Sequence, residues 1–414
     1  MGTIFKTDGS GNNATLQYDF ENTTGGLPQG SFIQATDGKL YGLTTIGALS
    51  YGVLFQVDPV TNTYTKKINF NDTNGDTPKG SLMQATDGKL YGMTFYGGNS
   101  ALGVIFQYNP VTNVLTKKVD FNNTNGSHPA GELIQATDGK LYGMTKDGGI
   151  NGKGVLFQYD PITNIYVKKI DFATSATGSN PLGSLKQASD GKMYGMTFAG
   201  GANNFGVIFQ YDPVTNTLTK KFDFPTSVEG SPIGSLSLAA NGKLYGMTQN
   251  NLFQYDFINN IYTQKVYFDA SYGNCRGNLI QATDGNLYGM TSNKIFQYNQ
   301  TTDVLTIQFT FPGVTGIGWD IYGSLIEISS TLNTTENQFS KNLKIYPNPT
   351  NGNFNIEVNE EELGAKVLVY NIIGQNIKTF KLDNLNTKQS LDSGMYILEI
   401  EKDGNKINRK LIVK

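Results

Sequence analysis

The chain has 414 residues, enough for more than one core, and balances 32 Lys plus Arg against 34 Asp plus Glu for a net charge of -2. That balance lacks the basic excess that attracts nucleic acid or an anionic membrane surface. A single cysteine, Cys275, excludes an intrachain disulfide and a cysteine metal cluster, and no apolar run approaches the ~20 residues that span a bilayer.

With 49 Gly, 23 Tyr and 24 Phe, the composition joins turn formers to residues that suit a pleated sheet, and predicts an all-β protein. The opening stretch "MGTIFKTDGSG" has neither the charged start nor the apolar core of a signal peptide. It reads as the middle of a repeat, so a processed or incomplete N-terminus is expected.

From Gly30 onward one unit recurs. "QATDGKLYGMT" stands at Gln84–Thr94 and again, unchanged, at Gln135–Thr145. The glycine before this stretch recurs at Gly30, Gly80, Gly131, Gly183, Gly234 and Gly277, with a degenerate copy at Gly323. Spacings of roughly 43 to 52 residues fall in the range of propeller blades. There is no 3.6-residue periodicity; short β-rich runs are instead broken by Asp-Gly, Gly-Gly and Asp-Pro.

In the second unit Ser81–Thr86 is predicted as strand a, Lys89–Thr94 as b, Gly103–Asn109 as c and Val114–Phe121 as d. Asp87-Gly88 and Asn109–Asn113 supply the a–b and c–d turns. Four such strands make one blade. At the start, Gly2–Asp8 matches strand c and Ala14–Phe20 matches strand d; near residue 330, Gly323–Ser329 matches strand a. The expected fold is a seven-bladed β-propeller over residues 1–330, its last blade shared between the two ends and lacking a strand b. The lysine pairs Lys66-Lys67, Lys117-Lys118, Lys168-Lys169 and Lys220-Lys221 on strand d suit an exposed sheet edge, with a basic binding stripe as the alternative.

The a–b and c–d turns emerge on one face and are nearly uniform, so Asp37, Asp87, Asp138, Asp190 and Asp284 read as turn residues; calcium ligation is the alternative, without D-x-D-x-D spacing to support it. The other face carries b–c loops of varied length and chemistry, "TIGALSYG", "FYGGNSALG", "KDGGINGKG" and "FAGGANNFG", shrinking to "QNN" and "SNK". Variable loops on a rigid scaffold are where binding concentrates. The ligand-binding candidates are Tyr51, Tyr96, Asn99, Lys146, Asp147, Asn203, Asn204, Phe205, Arg276 and Trp319, whose aromatics and amides suit sugar rings or a protein surface. Loops without a ligand are the plain alternative.

Catalysis has little support. The one histidine, His128, excludes a multi-histidine metal site and reads as a loop residue, while Glu21, Glu132, Glu229 and Glu327 stand singly, without a carboxylate pair. Cys275 beside Arg276 is either a mildly activated thiol or an incidental loop cysteine. No metal and no cofactor is expected. The favoured function is non-enzymatic recognition; a polysaccharide-active hydrolase or lyase and a structural surface protein are the alternatives.

The order Asp-Gly-Lys-Leu-Tyr-Gly, Gly97-Gly98 and Tyr-Asn/Asp-Pro-x-Thr-Asn resembles the kelch repeat, and more closely the glycine-rich GloVer repeats of bacterial secreted proteins. It departs from kelch where Tyr64, Leu115, Tyr166 and Leu218 replace a tryptophan. The resemblance implies a propeller and no defined activity.

Residues 331–342 are polar and read as a linker. Beyond them, strands are predicted at Phe354–Val358, Lys366–Asn371, Met395–Glu401 and Lys406–Val413, with Asp403-Gly404 as a hairpin turn, in a small Ig-like β-sandwich over 343–414. This segment resembles the type A C-terminal sorting domain of the type IX secretion system of Bacteroidota. Tyr346-Pro347-Asn348-Pro349, Gly352, Gly374, Gly394 with Tyr396, and the terminal "RKLIVK" with Lys410 and Lys414 carry the match. It implies export through the type IX machinery to the medium or the cell surface.

Overall fold

The computed structural model describes residues 2–8, 14–21, 23–47, 50–226, 230–311, 323–328, 343–371, 375–402 and 405–414. It divides into two compact units, Met1–Ile328 and Ser329–Lys414. The polar stretch 331–342 and the Asp403-Gly404 turn lie outside the described residues.

The first unit holds six four-stranded antiparallel sheets, each in the order a-b-c-d. Blade 2 is representative, with strands Met83–Gln84, Leu90–Thr94, Val104–Asn109 and Val114–Asp120. Strand a is shorter than its pattern predicts because its start faces the neighbouring blade: Ser31 N–H donates to Ser81 Oγ at 2.9 Å rather than to strand b. Both faces of strand c are buried, as its double alternation requires. Val104, Phe106 and Tyr108 pack with Tyr41, Leu54 and Phe70 of blade 1, while Ile105 packs with Leu133, Val155 and Phe157 of blade 3. The glycine of "LYGMT" is needed because the ring of Phe106 lies across Gly92.

Each turn aspartate works twice. Asp87 Oδ1 accepts Lys89 N–H at 3.0 Å and Oδ2 accepts the Tyr91 hydroxyl at 2.9 Å. In blade 5 the residue is Asn241, and the bond reverses: Asn241 Nδ2 donates to Tyr245 Oη, which donates to Gln254 Oε1. These carboxylates are therefore spent on the fold.

The blades meet at the axis through the repeat glycines. A Cβ on Gly30 would collide with the carbonyl of Gly80, one on Gly80 with Gly131, and so through Gly183, Gly234, Gly277 and Gly323, whose own Cβ would lie 2.8 Å from Gly30 O. Among the described residues these glycines close a cycle of seven. The side chains that follow them run around the axis too, with Ser31 N–H donating to Ser81 Oγ and the Ser81 hydroxyl meeting the Glu132 carboxyl. Glu132 N–H donates to Ser184 Oγ, Ser184 N–H to Ser235 Oγ, Ser235 N–H to Asn278 Oδ1, Asn278 N–H to Ser324 Oγ, and Ser324 N–H to Ser31 Oγ at 2.9 Å.

The ends meet in the seventh position. Thr3–Lys6 pairs with Thr15–Asp19. Ile4 and Phe20 pack with Val53 and Phe55 of blade 1 and with Ile326 and Ile328, while Phe5 and Leu325 pack with Met290 and Phe311 beyond them. The predicted strand a of this position is corrected: residues 324–328 lie at the axis but form no ladder among the described residues. Among the described residues no strand stands between them and Thr3–Lys6 to pair with.

In the second unit, strands Lys344–Tyr346, Asn353–Glu357 and Asn386–Ser390 form one sheet; Asn376–Lys381, Lys366–Asn371, Gly394–Lys402 and Asn405–Val413 form the other. Phe354, Ile356, Val367, Val369, Leu398, Ile400 and Leu411 fill the space between them. The motif residues converge on the last strand. Asn348 Oδ1 accepts Ile412 N–H at 3.0 Å, and Thr350 bonds both Ile412 and Lys414 through its backbone. Tyr346 closes the first strand, and Pro347 and Pro349 follow cis peptide bonds. Gly352, with φ +108°, accepts from Leu391 N–H; Tyr396 is buried and donates to Asp392 O at 3.0 Å across Gly394. Lys410 pairs with Ile397 along the backbone, and Gly374 lies outside the described residues.

Glu132 is the one acid in the axial side-chain cycle, where the other units have Ser or Asn. Burial pushes its carboxyl above the usual range, against the opposing Ser81 hydroxyl and Lys186 charge. A carboxyl raised in the folded state stabilises most when protonated and loses that contribution as pH rises through its folded value. Glu132→Ser is expected to raise Tm at pH 8 and to change it little at pH 4; a lower Tm at pH 8 would refute this.

Candidate recognition site

The long b–c loops are stapled to strand d. Asp120 Oδ1 accepts Asn99 N–H at 2.8 Å and the Lys117 ammonium at 2.9 Å. Asp171 does the same for Ile150 and Lys168, and Asp223 for Ala202 and Lys220. Blades 5 and 6, with short loops, have Tyr267 and Thr310 at this place. The first lysine of each pair in blades 2 to 4 is thus tied to a carboxylate. Lys118, the second of its pair, bonds Asn164 of the next blade at 3.2 Å.

These staples account for several sequence candidates. Asn99 Oδ1 accepts from Lys117, Asn203 Nδ2 donates to Phe224 O, and Asn204 Oδ1 accepts from Gly200 N–H. Tyr51 and Phe205 are half-buried against the interblade clusters. Arg276 sits half-buried in strand a of blade 6, opposite Met290. Trp319 lies outside the described residues. Cys275 is buried, and that burial pushes its thiol up to about 12, outweighing the Arg276 charge; the activated-thiol alternative is corrected accordingly.

The d–a corner presents a different set. Leu27, Thr77, His128, Asn180 and Ser231 each precede a proline and each has a left-handed φ, between 49° and 57°. That conformation is strained for residues with a Cβ. Two backbone bonds hold it: His128 N–H donates to Leu102 O of the preceding blade, and His128 O accepts from Lys146 N–H. The backbone repeats while the side chain changes from Leu to Thr, His, Asn and Ser.

Blades 2 to 4 concentrate chemistry at this corner. Asp147 Oδ2 faces His128 Nδ1 at 3.1 Å and Lys146 Nζ at 3.3 Å. Asp147 Oδ1 accepts from Asn180 Nδ2 at 3.1 Å, and the same amide reaches Lys146 O. Phe95 stacks on His128 with centroids 4.9 Å apart, and Tyr96 meets both rings edge-on. The Lys79 ammonium lies 3.5 Å from the Phe95 centroid. Tyr96 remains 43% exposed although its neighbours are ordered by contacts.

Tyr96, Lys146 and Asp147 are thereby brought together, while the other sequence candidates are not among these contacts. Lys79, Phe95, His128 and Asn180 complete the cluster and were not among the sequence candidates. The signal available was columnar: blades 2 to 4 keep the proline and the loop glycines but vary the residues before the proline and after strand b. Among the described residues no cluster of three or more His, Cys, Asp or Glu could hold a metal ion, and no helix is long and apolar enough to cross a membrane, which leaves β-barrel insertion unaddressed.

The architecture is a β-propeller. The chain belongs to the Gloeobacter/Verrucomicrobia repeat family, which matches residues 1–187, 83–252, 118–293 and 166–343. Residues 344–414 match the secretion system C-terminal sorting domain, making this a secreted or cell-surface protein of the type IX system. No curated protein matches the chain. Among solved structures, the extracellular domains of two putative hybrid two-component systems of B. thetaiotaomicron are similar in fold. BT4673 shares 14% identity over 94% of this chain and 56% of its own, with a TM-score of 0.53. BT3049 shares 13% over 95% and 56%, with a TM-score of 0.51. PorZ, a surface component of the type IX secretion system of Porphyromonas gingivalis, shares 12% over 97% and 61%, with a TM-score of 0.47. The chain spans less than two thirds of the length of each.

Asp171→Ala removes the staple of the blade 3 loop. It is expected to lower stability by about 1–2 kcal/mol and to speed amide exchange across Gly149–Gly154; an unchanged exchange profile would sink the staple assignment.

Proposed function

We propose that the propeller, taken as residues 1–330, is a non-enzymatic recognition module that binds glycan, carried outward by the sorting domain at 343–414 across a linker at 331–342. The observation that carries this reading is the exposed Tyr96 ring beside His128, Asp147 and Asn180, polar groups already held by neighbours. A sugar presents an apolar ring face and a rim of hydroxyls. An aromatic face beside fixed donors and acceptors complements both, at little ordering cost. Tyr51, Asn99, Asn203, Asn204 and Phe205 contribute by shaping the loops, with Arg276 nearer the axis.

The face varies from blade to blade, whereas the opposite face repeats its turns. Selection for a ligand explains that difference better than a structural coat, which needs neither face to vary. A second reading, a polysaccharide-active enzyme, draws on the His128–Asp147 pair, a geometry that suits proton transfer.

The full chain on a glycan array is expected to bind, with Tyr96→Ala weakening binding by roughly tenfold. Turnover of a polysaccharide, lost in His128→Ala and in Asp147→Asn, would replace recognition with catalysis. No binding to any glycan or cell-surface protein, and no turnover, would leave the structural role. For export, deletion of residues 343–414 from the gene as expressed in its own cell is expected to hold the protein inside. Appearance of the shortened chain in the medium or on the surface would refute the role given to the tail.

A further inference from the structure

A half-buried charge normally has a partner, because leaving water without one is costly. Lys79 departs from this. Its side chain lies over Phe95 with the ammonium 3.5 Å from the ring centroid, and among the described residues no carboxylate or hydrogen-bond acceptor pairs with it. Burial, and then the nearby Lys146 charge, depress its basicity. Lys146 does not relieve the excess, since its one carboxylate, Asp147, is shared with His128 and Asn180.

Two further carboxyls stand near the loop: Asp76, whose backbone is bridged to Tyr96, and Asp72, whose carbonyl accepts from Gly98 N–H. Asp76 accepts the Thr77 hydroxyl at 2.7 Å, and neither carboxylate is bonded to Lys79. Lys79 is therefore a cation at the edge of the Tyr96 face with no carboxylate bound to it among the described residues.

We infer that this face takes an acidic glycan, a polysaccharide bearing uronate carboxylates, with Lys79 and Lys146 receiving the carboxylate while Phe95 and Tyr96 pack against the ring. The inference rests on the glycan reading above and names the sugar class. A uronic acid places a carboxylate at the edge of an apolar ring face, which is the juxtaposition of ammonium and aromatic found here. Asn180 and His128 lie beside them to meet ring hydroxyls. An acidic peptide would satisfy the lysines but supplies no regular ring for the aromatics.

The test uses the full chain against an array of uronate polysaccharides, each printed beside its carboxyl-reduced counterpart, with poly-glutamate on the same array. The expected result is binding to acidic members only, weakened by added salt. Lys79→Gln and Lys146→Gln are each expected to weaken it by about tenfold or more. Lys118→Gln, at the distant sheet edge, is expected to leave it near wild type, and Lys79→Arg, which keeps the charge, is expected to lose less than Lys79→Gln; Tm of each variant separates lost folding from lost binding. Equal binding to acidic and reduced members, still dependent on Tyr96, would overturn the acidic class and leave the glycan reading standing. Preference for poly-glutamate would overturn the glycan class, and no binding to any member would overturn both.

Discussion

Everything in the propeller depends on how closely the innermost strands approach the axis. Seven backbones come so near one another that a single methyl group on any axial glycine would enter the carbonyl of the next unit. Close packing there brings each following Ser or Asn within reach of its neighbour's amide, so the ring is bonded to itself by side chains. Radially outward, the same approach sets the wedge into which strand c places its alternating Val, Phe and Tyr. A blade alone would expose both faces of that strand. Only a neighbour on each side buries them, so the stability of each blade belongs to the ring.

Rigidity at the axis frees the loop face. The corner before each proline keeps one strained backbone, held at Thr77, His128 and Asn180 by bonds to two blades, and tolerates Leu, Thr, His, Asn or Ser as its side chain. The loop after strand b is likewise held by a carboxylate from strand d wherever it is long in blades 2 to 4. Chemistry can change at these positions without disturbing the fold. In blades 2 to 4 it has done so in one place, gathering Lys79, Phe95, Tyr96, His128, Lys146, Asp147 and Asn180.

The tail follows a different logic, in which separated motifs act on one strand. The Pro-Asn-Pro segment and Gly394-Met395-Tyr396 lie far apart in sequence, yet both meet Asn405–Val413, the first through Asn348 and Thr350 and the second as its ladder partner. Their spacing in the sequence reflects that common target. Three strands, Lys344–Tyr346, Asn376–Lys381 and Asn386–Ser390, escaped the sequence reading. Asn376–Lys381 and Asn386–Ser390 are largely exposed, so no buried face imposes a clear alternation on them.

By itself the sequence determined the repeat, its four strands, the turn chemistry of Asp87-Gly88 and its copies, the closure of the ring through both ends of the first unit, and the sorting tail. All of these are local or periodic, so they are written as spacing and residue type. Tertiary structure alone decided which variable residues meet. Tyr96 and His128 are far apart in the chain and belong to different blades, and Asn99 and Asn203 resemble ligand-binding residues until strand d is placed beside them. Whether a polar side chain is spent on the fold or left for a ligand depends on neighbours 18 to 33 residues away in the chain, and no single strand or loop contains them.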